Sequence, residues 1–131
     1  DAFTLELLRG ILQRRKRALV KAVLLMQEFF PGIGNWMVDE ILWRAHIHPA
    51  ERAGNLSPAK QKALWEETRF VTNGALKTVG ERGGDPPSDW LFHVRWKDGG
   101  NCPQSGKPLV RETVAGRTTC WCPFVQRLSK K

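Results

Sequence analysis

With 131 residues, the chain can bury the core of one domain, or of a small domain with an appended module, without disulfide bonds. Its 21 Lys and Arg residues outnumber its 13 Asp and Glu residues, and the net charge of +8 favours nucleic acid over an anionic membrane as partner. We find no run of about 20 apolar residues, no leader pattern, and only three irregularly spaced cysteines. We therefore expect an intracellular protein, cytoplasmic and nucleoid-associated or nuclear, with no membrane partner.

The positive charge is concentrated in two segments. The first is RRKR, residues 14–17, and the second runs from residue 107 to residue 131, where six basic residues accompany one acid. Taken alone, such runs are typical of a solvated face as well as of a nucleic-acid-binding surface.

Apolar spacing predicts four helices in the first 80 residues. We expect them at residues 3–13, at residues 18–30, from an N-capping Asn35 to about His46, and from Pro58 to about Val79 with Ser57 as N-cap. The segment GERGGDPPSD, residues 80–89, combines glycine and proline at a density that indicates a linker.

Beyond this linker the pattern changes to short strands, which we expect at residues 90–96, 107–114 and 117–122. The sequence therefore predicts a mainly α protein with a small β-hairpin module. We place a helical domain at residues 1–84 and the hairpin module at residues 85–131.

The segment PGIGN, residues 31–35, joins two predicted helices through Gly32 and Gly34. Glycine permits positive φ and the close approach of a ligand, and the free N–H groups at the start of the next helix attract anions. Asn35 adds a side-chain amide that can donate to the same anion. From these five residues alone, a phosphate-binding turn and an ordinary turn between helices are equally good interpretations.

The longer segment from Lys21 to Ser57 resembles the helix-two-turn-helix region of the formamidopyrimidine-DNA glycosylase and endonuclease VIII family of base-excision repair enzymes. The shared features are Lys21, Leu24 with Leu25, Gln27, GIGN at residues 32–35, Asp39 with Glu40, and HIHP at residues 46–49, with His46 in place of the family's glycine. Similarity extends to FTLELLRGIL, residues 3–12, and to the hairpin module, so it covers nearly the whole chain. It implies a helix-two-turn-helix bundle followed by a zinc-finger-like hairpin.

The resemblance also implies a site that binds damaged double-stranded DNA. Gly32, Gly34 and Asn35 would grip a phosphate beside the damaged nucleotide, and Lys21 would lie near the lesion. Arg117, in the turn AGRTT, would contact the DNA backbone at the hairpin tip, where a guanidinium can hold a phosphate bidentately. Without the resemblance, Arg117 is equally well explained as a charged turn residue.

The zinc finger that ends members of this family is incomplete here. Its four ligand positions fall at Cys102, Ser105, Cys122 and Val125, so two of the four sulfurs are missing. A structural zinc site takes four Cys or His ligands.

Three interpretations of the cysteines remain at this point: a metal site that recruits His93, a Cys102–Cys122 disulfide, and a hairpin without zinc. A reducing cytosol disfavours the disulfide, and we favour the hairpin without zinc or any other cofactor. Its substitute core would consist of Trp96, Val110, Val114, Trp121 and Phe124.

We predict no catalytic residue in this chain. The family's nucleophile is the amine of an N-terminal proline followed by a glutamate, which DAFTLE, residues 1–6, does not match. Asp39 and Glu40 are neighbours on a helix, so their side chains face different ways. We therefore assign them a structural role rather than a catalytic one. These 131 residues would bind DNA without being an enzyme by themselves.

We therefore expect the DNA-binding half of a DNA repair glycosylase with AP lyase activity, acting on damaged, oxidised bases. Its partner would be an N-terminal catalytic domain of the same protein. The alternative is a module for DNA or RNA that kept this scaffold without the chemistry. The start of the complete coding sequence distinguishes the two.

Overall fold

The computed structural model describes residues 3–80 and 83–129. Over these residues the chain forms four α-helices and one antiparallel hairpin. In chain order they are α1 (Leu5–Arg14), α2 (Val20–Leu24), α3 (Asn35–Ala45), α4 (Pro58–Ala75), β1 (Val110–Val114) and β2 (Arg117–Trp121). The predicted mainly α architecture with a small hairpin is confirmed. None of the described helices is both long and apolar enough to cross a membrane.

Capping residues decide where α3 and α4 begin. The Ser57 hydroxyl accepts a hydrogen bond from the N–H of Lys60 at 3.2 Å, so α4 begins as predicted. For α3 the N-cap is Gly34, and Asn35 is the first helical residue. The prediction of Asn35 as the N-cap is wrong because its side chain bonds to the hairpin instead of to its own helix.

The second helix is shorter than the predicted residues 18–30. It ends at Leu24, and the following residues continue as hydrogen-bonded turns. The side chain of Gln27 accepts a hydrogen bond from the N–H of Gly32 at 3.0 Å and donates one to the carbonyl of Ile33 at 2.9 Å. These two bonds fold the chain back before the helix can extend to Phe30.

The segment predicted as the first strand is not a strand. Leu91–His93 forms a 3-10 turn, because the carboxylate of Glu40 accepts the N–H groups of Leu91 and Phe92 at 3.0 and 2.9 Å. Trp90 packs so closely on α4 that a Cβ on Gly74 would lie 2.7 Å from its ring. Residues 81 and 82 of the predicted linker lie outside the described residues.

Two buried clusters stabilise the fold. The larger one takes apolar side chains from all four helices and includes Trp90. The smaller one lies under the hairpin and consists of Trp43, Leu91, Cys102, Cys120 and Cys122, with Val94, Leu109 and Val125 packed against it.

The smaller cluster differs from the predicted hairpin core. Trp96 and Phe124 are 54% and 52% exposed, whereas Val114 is buried and Val110 and Trp121 are half-buried. The prediction is therefore wrong for Trp96 and Phe124. The three thiols and Trp43 of α3 fill the space, and a local strand pattern cannot reveal a side chain that arrives from a distant helix.

Candidate nucleic-acid interface

The glycine turn before α3 has a backbone conformation that residues with a Cβ adopt only with strain. Gly32 has φ +84°, where an L side chain is disfavoured. Its N–H is already bonded to Gln27. Gly32 therefore provides the shape of the turn rather than a free donor for an anion.

The N-terminal end of α3 provides the free donors. The N–H groups of residues 34–37 have no backbone acceptor within the described residues, as expected for the first turn of a helix. A Cβ added to Gly34 would meet no atom within 4 Å, so a ligand can approach this end without obstruction. Aligned peptide dipoles make the end positive. The geometry suits an anion such as a phosphate.

The side chain of Asn35 joins this helix end to the tip of the hairpin. Its Nδ2 donates to the carbonyl oxygen of Thr118 at 2.9 Å. Thr118 directly follows Arg117, so Asn35 and Arg117 lie on the same side of the molecule. The two elements that the sequence analysis assigned to phosphate binding are thus adjacent.

The hairpin tip is a two-residue turn between β1 and β2. Val114 pairs with Arg117, and the two turn residues, Ala115 and Gly116, have φ of 54° and 75°. Positive φ at both central positions is the signature of the type I′ turn, whose twist matches that of paired strands. Arg117 is the first residue after the turn and is exposed.

Lys21 lies beneath the hairpin tip rather than on the surface. Its side chain is 0% exposed, and its ammonium donates to Asp39 Oδ1 at 2.8 Å, to Thr119 Oγ1 at 2.6 Å and to the carbonyl of Thr118 at 3.2 Å. The ammonium therefore has no exposed surface for a phosphate in this conformation. A role of Lys21 in DNA binding stays a prediction, and the contacts indicate that it would act through Thr118.

Asp39 is the centre of the buried network under the tip. Its Oδ2 accepts hydrogen bonds from Arg95 Nη2 at 2.6 Å and from the N–H of Cys120 at 3.0 Å. Burial lowers the pKa of Lys21, Asp39 opposes this effect, and the charges of Arg95 and Arg117 add to it. While Lys21 is protonated, two cations share one carboxylate, which leaves a positive surplus beneath the tip.

The sequence analysis assigned Asp39 and Glu40 to structure, and both carboxylates do make buried contacts that connect separate segments of the chain. It missed Arg95 and Thr118. Arg95 lies in the segment wrongly predicted as a strand, and its partner Asp39 is 56 residues away. A contact over that separation leaves no periodic signal in one sequence.

The four positions of the incomplete zinc finger do come together. Ser105 Oγ lies 3.5 Å from Cys122 Sγ, and Cys102 and Val125 belong to the same small cluster. The set offers two sulfurs, one hydroxyl and one hydrocarbon side chain, which does not fit the four Cys or His ligands of a structural zinc. Within residues 3–80 and 83–129 no group of three His, Cys, Asp or Glu side chains is suited to a metal.

His93 is bonded elsewhere, and the thiol of Cys120, although it lies in the small cluster, is difficult to ionise. The Nε2 of His93 is bonded to the carbonyls of Pro86 and Pro87 at 2.8 and 3.1 Å. Burial raises the pKa of the Cys120 thiol to about 11. Cys102 differs, because burial would raise its pKa but hydrogen bonds, first among them that of Ser105, outweigh it and lower the pKa.

The helical body presents the free N–H groups of α3 beside the arginine at the hairpin tip. This arrangement defines a helix-two-turn-helix nucleic-acid-binding module. The H2TH domain of formamidopyrimidine-DNA glycosylase matches residues 1–83. The formamidopyrimidine-DNA glycosylase of Arabidopsis thaliana is 38% identical over 117 residues, which cover 89% of this chain and 30% of that protein. The enzyme of Roseiflexus sp. is 37% identical over 135 residues, with 97% and 49% covered. The chain belongs to the formamidopyrimidine-DNA glycosylase family.

Solved structures of the same family are also similar to this chain. The MutM (Fpg) protein of Thermus thermophilus has a TM-score of 0.79 and 32% identity, and the match covers 96% of this chain and 51% of that one. Lactococcus lactis Fpg, in a complex with DNA containing an abasic site, has a TM-score of 0.81 and 29% identity, with 95% and 48% covered. The chain spans about half the length of these proteins and corresponds to their DNA-binding C-terminal half.

Proposed function

We propose that this chain is the part of a base-excision-repair glycosylase that grips DNA around a damaged, oxidised base, and that the complete protein also has AP lyase activity. The hydrogen bond from Asn35 to Thr118 carries the proposal, because it holds the N-terminal end of α3 and Arg117 on one side of the molecule. The Lactococcus relative, solved with abasic-site and FAPY-dG DNA, supports a damaged duplex as partner. The chemistry would belong to a further, N-terminal domain of the complete protein.

The grip works by holding two neighbouring phosphates at a set separation. One phosphate would accept hydrogen bonds from the free N–H groups of residues 34–37 and from the second hydrogen of Asn35 Nδ2. The next would be held by the guanidinium of Arg117. Extruding a base costs a few kcal/mol, and a preorganised pair of contacts offsets part of that cost because little side-chain ordering remains.

We further propose that the hairpin folds without zinc. Trp43 and Leu91 pack on the three thiols, and the Trp43 Nε1 hydrogen donates to Cys102 Sγ at 3.2 Å. Burial of large apolar side chains contributes about 1.5–3 kcal/mol each, which compensates in part for a missing metal. The complete protein would act where DNA is, in a bacterial nucleoid or in a nucleus.

Binding to a duplex with an abasic-site analogue, followed by fluorescence anisotropy, tests the grip. Asn35→Ala and Arg117→Ala should each weaken binding by about 1–3 kcal/mol, the scale of a charge-assisted hydrogen bond. Arg117→Lys should fall between wild type and Arg117→Ala, because lysine keeps the charge but not the bidentate geometry. Normal affinity in both alanine variants would refute the grip.

Arg127→Ala is the matched control for the loss of an arginine. Arg127 is exposed and bonds to the carbonyl of Phe124, beyond the end of β2 that is remote from the tip. Its loss should change the affinity by less than about twofold, within about 0.5 kcal/mol. An RNA duplex of the same sequence serves as competitor, and equal affinity for it would favour the alternative of a general nucleic-acid module.

A further inference from the structure

A second basic surface lies outside the grip. A cleft of about 520 Å³ is lined by Lys16, Arg17, Arg52, Gly54 and Asn55. Next to it, residues 14–18 line a smaller depression of about 340 Å³. The RRKR run noted in the sequence therefore forms part of a concave surface rather than of a frayed tail.

Two backbone segments build this cleft by direct contact. The carbonyl of Lys16 accepts the N–H of Gly54 at 2.9 Å, and the carbonyl of Arg17 accepts Arg52 Nη1 at 2.7 Å. A Cβ on Gly54 would lie 2.7 Å from Lys16 Cβ, so the segments meet this closely only because residue 54 is glycine. The guanidinium of Arg52 is thus held beside the RRKR run.

The charge of the cleft is not compensated by the protein. None of the five basic side chains at residues 14–17 and 52 makes an ion pair within the described part of the chain. The acid adjacent in sequence, Glu51, is 4% exposed, and its carboxylate accepts the N–H of Ser129 at 2.7 Å. A concave surface with unpaired positive charge concentrates anions.

We propose that Lys16, Arg17 and Arg52 form a second backbone-phosphate site for the same DNA duplex, beyond the phosphates gripped by Asn35 and Arg117. The inference rests on the proposed function for the identity of the ligand. Arg17 precedes Lys21 by four residues, so their Cα atoms are at most about 14 Å apart. Lys21 contacts Thr118 at the hairpin tip. One strand of a DNA duplex advances about 14 Å in about four nucleotide steps, so the same duplex can extend from the grip to the cleft.

A site that contacts only phosphates has a distinct signature in binding experiments. Phosphate contacts position a protein on DNA but do not read sequence or lesion. The site should therefore strengthen binding to damaged and undamaged duplexes by the same factor. Each neutralised phosphate also contributes about 0.9 to the slope of log affinity against log salt concentration.

The test compares Lys16→Gln/Arg17→Gln with Lys62→Gln/Lys107→Gln in the complete protein. Both double variants remove two positive charges. Neither Lys16 nor Arg17 uses its side-chain nitrogens in a hydrogen bond or ion pair within the described residues, so the fold should tolerate the first variant. Lys62 and Lys107 are exposed, one on α4 and the other at the base of the hairpin above Phe124.

We expect the cleft variant to lose about tenfold in affinity for both abasic and undamaged duplexes, corresponding to one charge-assisted hydrogen bond. Its salt slope should fall in magnitude by about 1 to 2. The control should lose less than about twofold. A loss no greater than that of the control, or an unchanged salt slope, overturns the second site.

Three further outcomes are informative. If Asn35→Ala loses affinity while the cleft variant does not, the second site is wrong and the proposed function stands. If Asn35→Ala and Arg117→Ala bind normally, the grip itself fails, whatever the cleft variant shows. Retention of DNA affinity together with loss of binding to polyglutamate would overturn the DNA assignment and indicate an acidic protein partner.

Discussion

The side-chain amide of Asn35 donates a hydrogen bond of 2.9 Å to the carbonyl of Thr118, 83 residues further along the chain. Its Oδ1 is buried and has no hydrogen-bond partner among the described residues. The orientation of the amide therefore depends on the bond from Nδ2. Since Nδ2 carries two hydrogens, one remains for a phosphate oxygen while the other holds the hairpin tip.

Replacing Asn35 by Asp tests this double use of the amide. Aspartate removes the donor to Thr118 and places a negative charge where a phosphate should bind, and juxtaposed like charges cost several kcal/mol. We expect Asn35→Asp to bind an abasic duplex about 1–3 kcal/mol more weakly than Asn35→Ala does. Anisotropy titrations at one salt concentration measure the difference. Equal or tighter binding of the aspartate variant would contradict the assignment, and thermal melts check that both variants fold.

The hairpin turn contains a residue that glycine should improve. Ala115 has φ 54°, a left-handed conformation that costs a residue with a Cβ about 1–2 kcal/mol. Glycine removes this strain but adds about 0.4–1 kcal/mol of unfolded-state entropy. Ala115→Gly should therefore raise the free energy of unfolding by about 0.5–1 kcal/mol. Denaturant titration measures this free energy. Gly116→Ala should lower it, because Gly116 has φ 75°. Destabilisation by Ala115→Gly would show that the turn does not have the positive φ at residue 115 described above.

The buried carboxyl of Glu40 should give a measurable pH dependence. Burial raises its pKa above the ordinary 4.5, although the N–H groups of Leu91 and Phe92 and the charge of Arg44 oppose this. The folded protein thus retains a proton that the unfolded chain has already released. The contribution of Glu40 to the free energy of unfolding is therefore present below the unfolded pKa and is lost as the pH rises through the folded pKa.

Glu40→Gln isolates this contribution because glutamine does not ionise. The free energy of unfolding of wild type minus that of the variant should decrease as the pH rises from about 4 towards 7. Chemical denaturation at several pH values measures both proteins. A difference that increases over the same range would mean that the hydrogen bonds to the carboxylate outweigh its burial.

The incomplete zinc finger can be tested by restoring it. Ser105 Oγ is already 3.5 Å from Cys122 Sγ, and Val125 packs against the same cluster as Cys102. We expect Ser105→Cys/Val125→Cys to bind about one zinc per chain through four thiolates and to unfold at a higher temperature. Elemental analysis measures the metal. Wild type should contain none, and stoichiometric zinc in wild type would overturn the proposed zinc-free hairpin.

A triple variant that also carries Cys122→Ser is the control for the restored site. It should lose the metal, because a sulfur would remain at only three of the four ligand positions. If the double variant binds no zinc although it folds, the four positions do not surround a common point. If the triple variant keeps the metal, the ligands lie elsewhere.

Elements with local signals were predictable. Ser57 and Pro58 mark the start of α4 by a hydroxyl cap and a preset φ, and Ala115 with Gly116 marks the hairpin turn. The GIGN motif led to the glycine turn and to the family. In each case the physical cause lies within a few residues of the effect.

Elements that depend on distant partners were not predictable. The segment Leu91–His93 has the apolar pattern of a strand, but its N–H groups bond to Glu40, about 50 residues earlier. Trp96 looked like a core residue, yet Trp43 of α3 occupies the space under the hairpin.

The amino-acid sequence by itself determined the positive charge, three of the helices, the hairpin and the family, because capping, turn chemistry and contiguous motifs act over short distances. Only the tertiary structure decided that Lys21 is buried beneath the tip, that Arg95 shares Asp39 with it, and that the RRKR run forms a cleft with Arg52. These arrangements follow from packing between segments far apart in the chain, and the energy of such contacts leaves no pattern in the residues on either side.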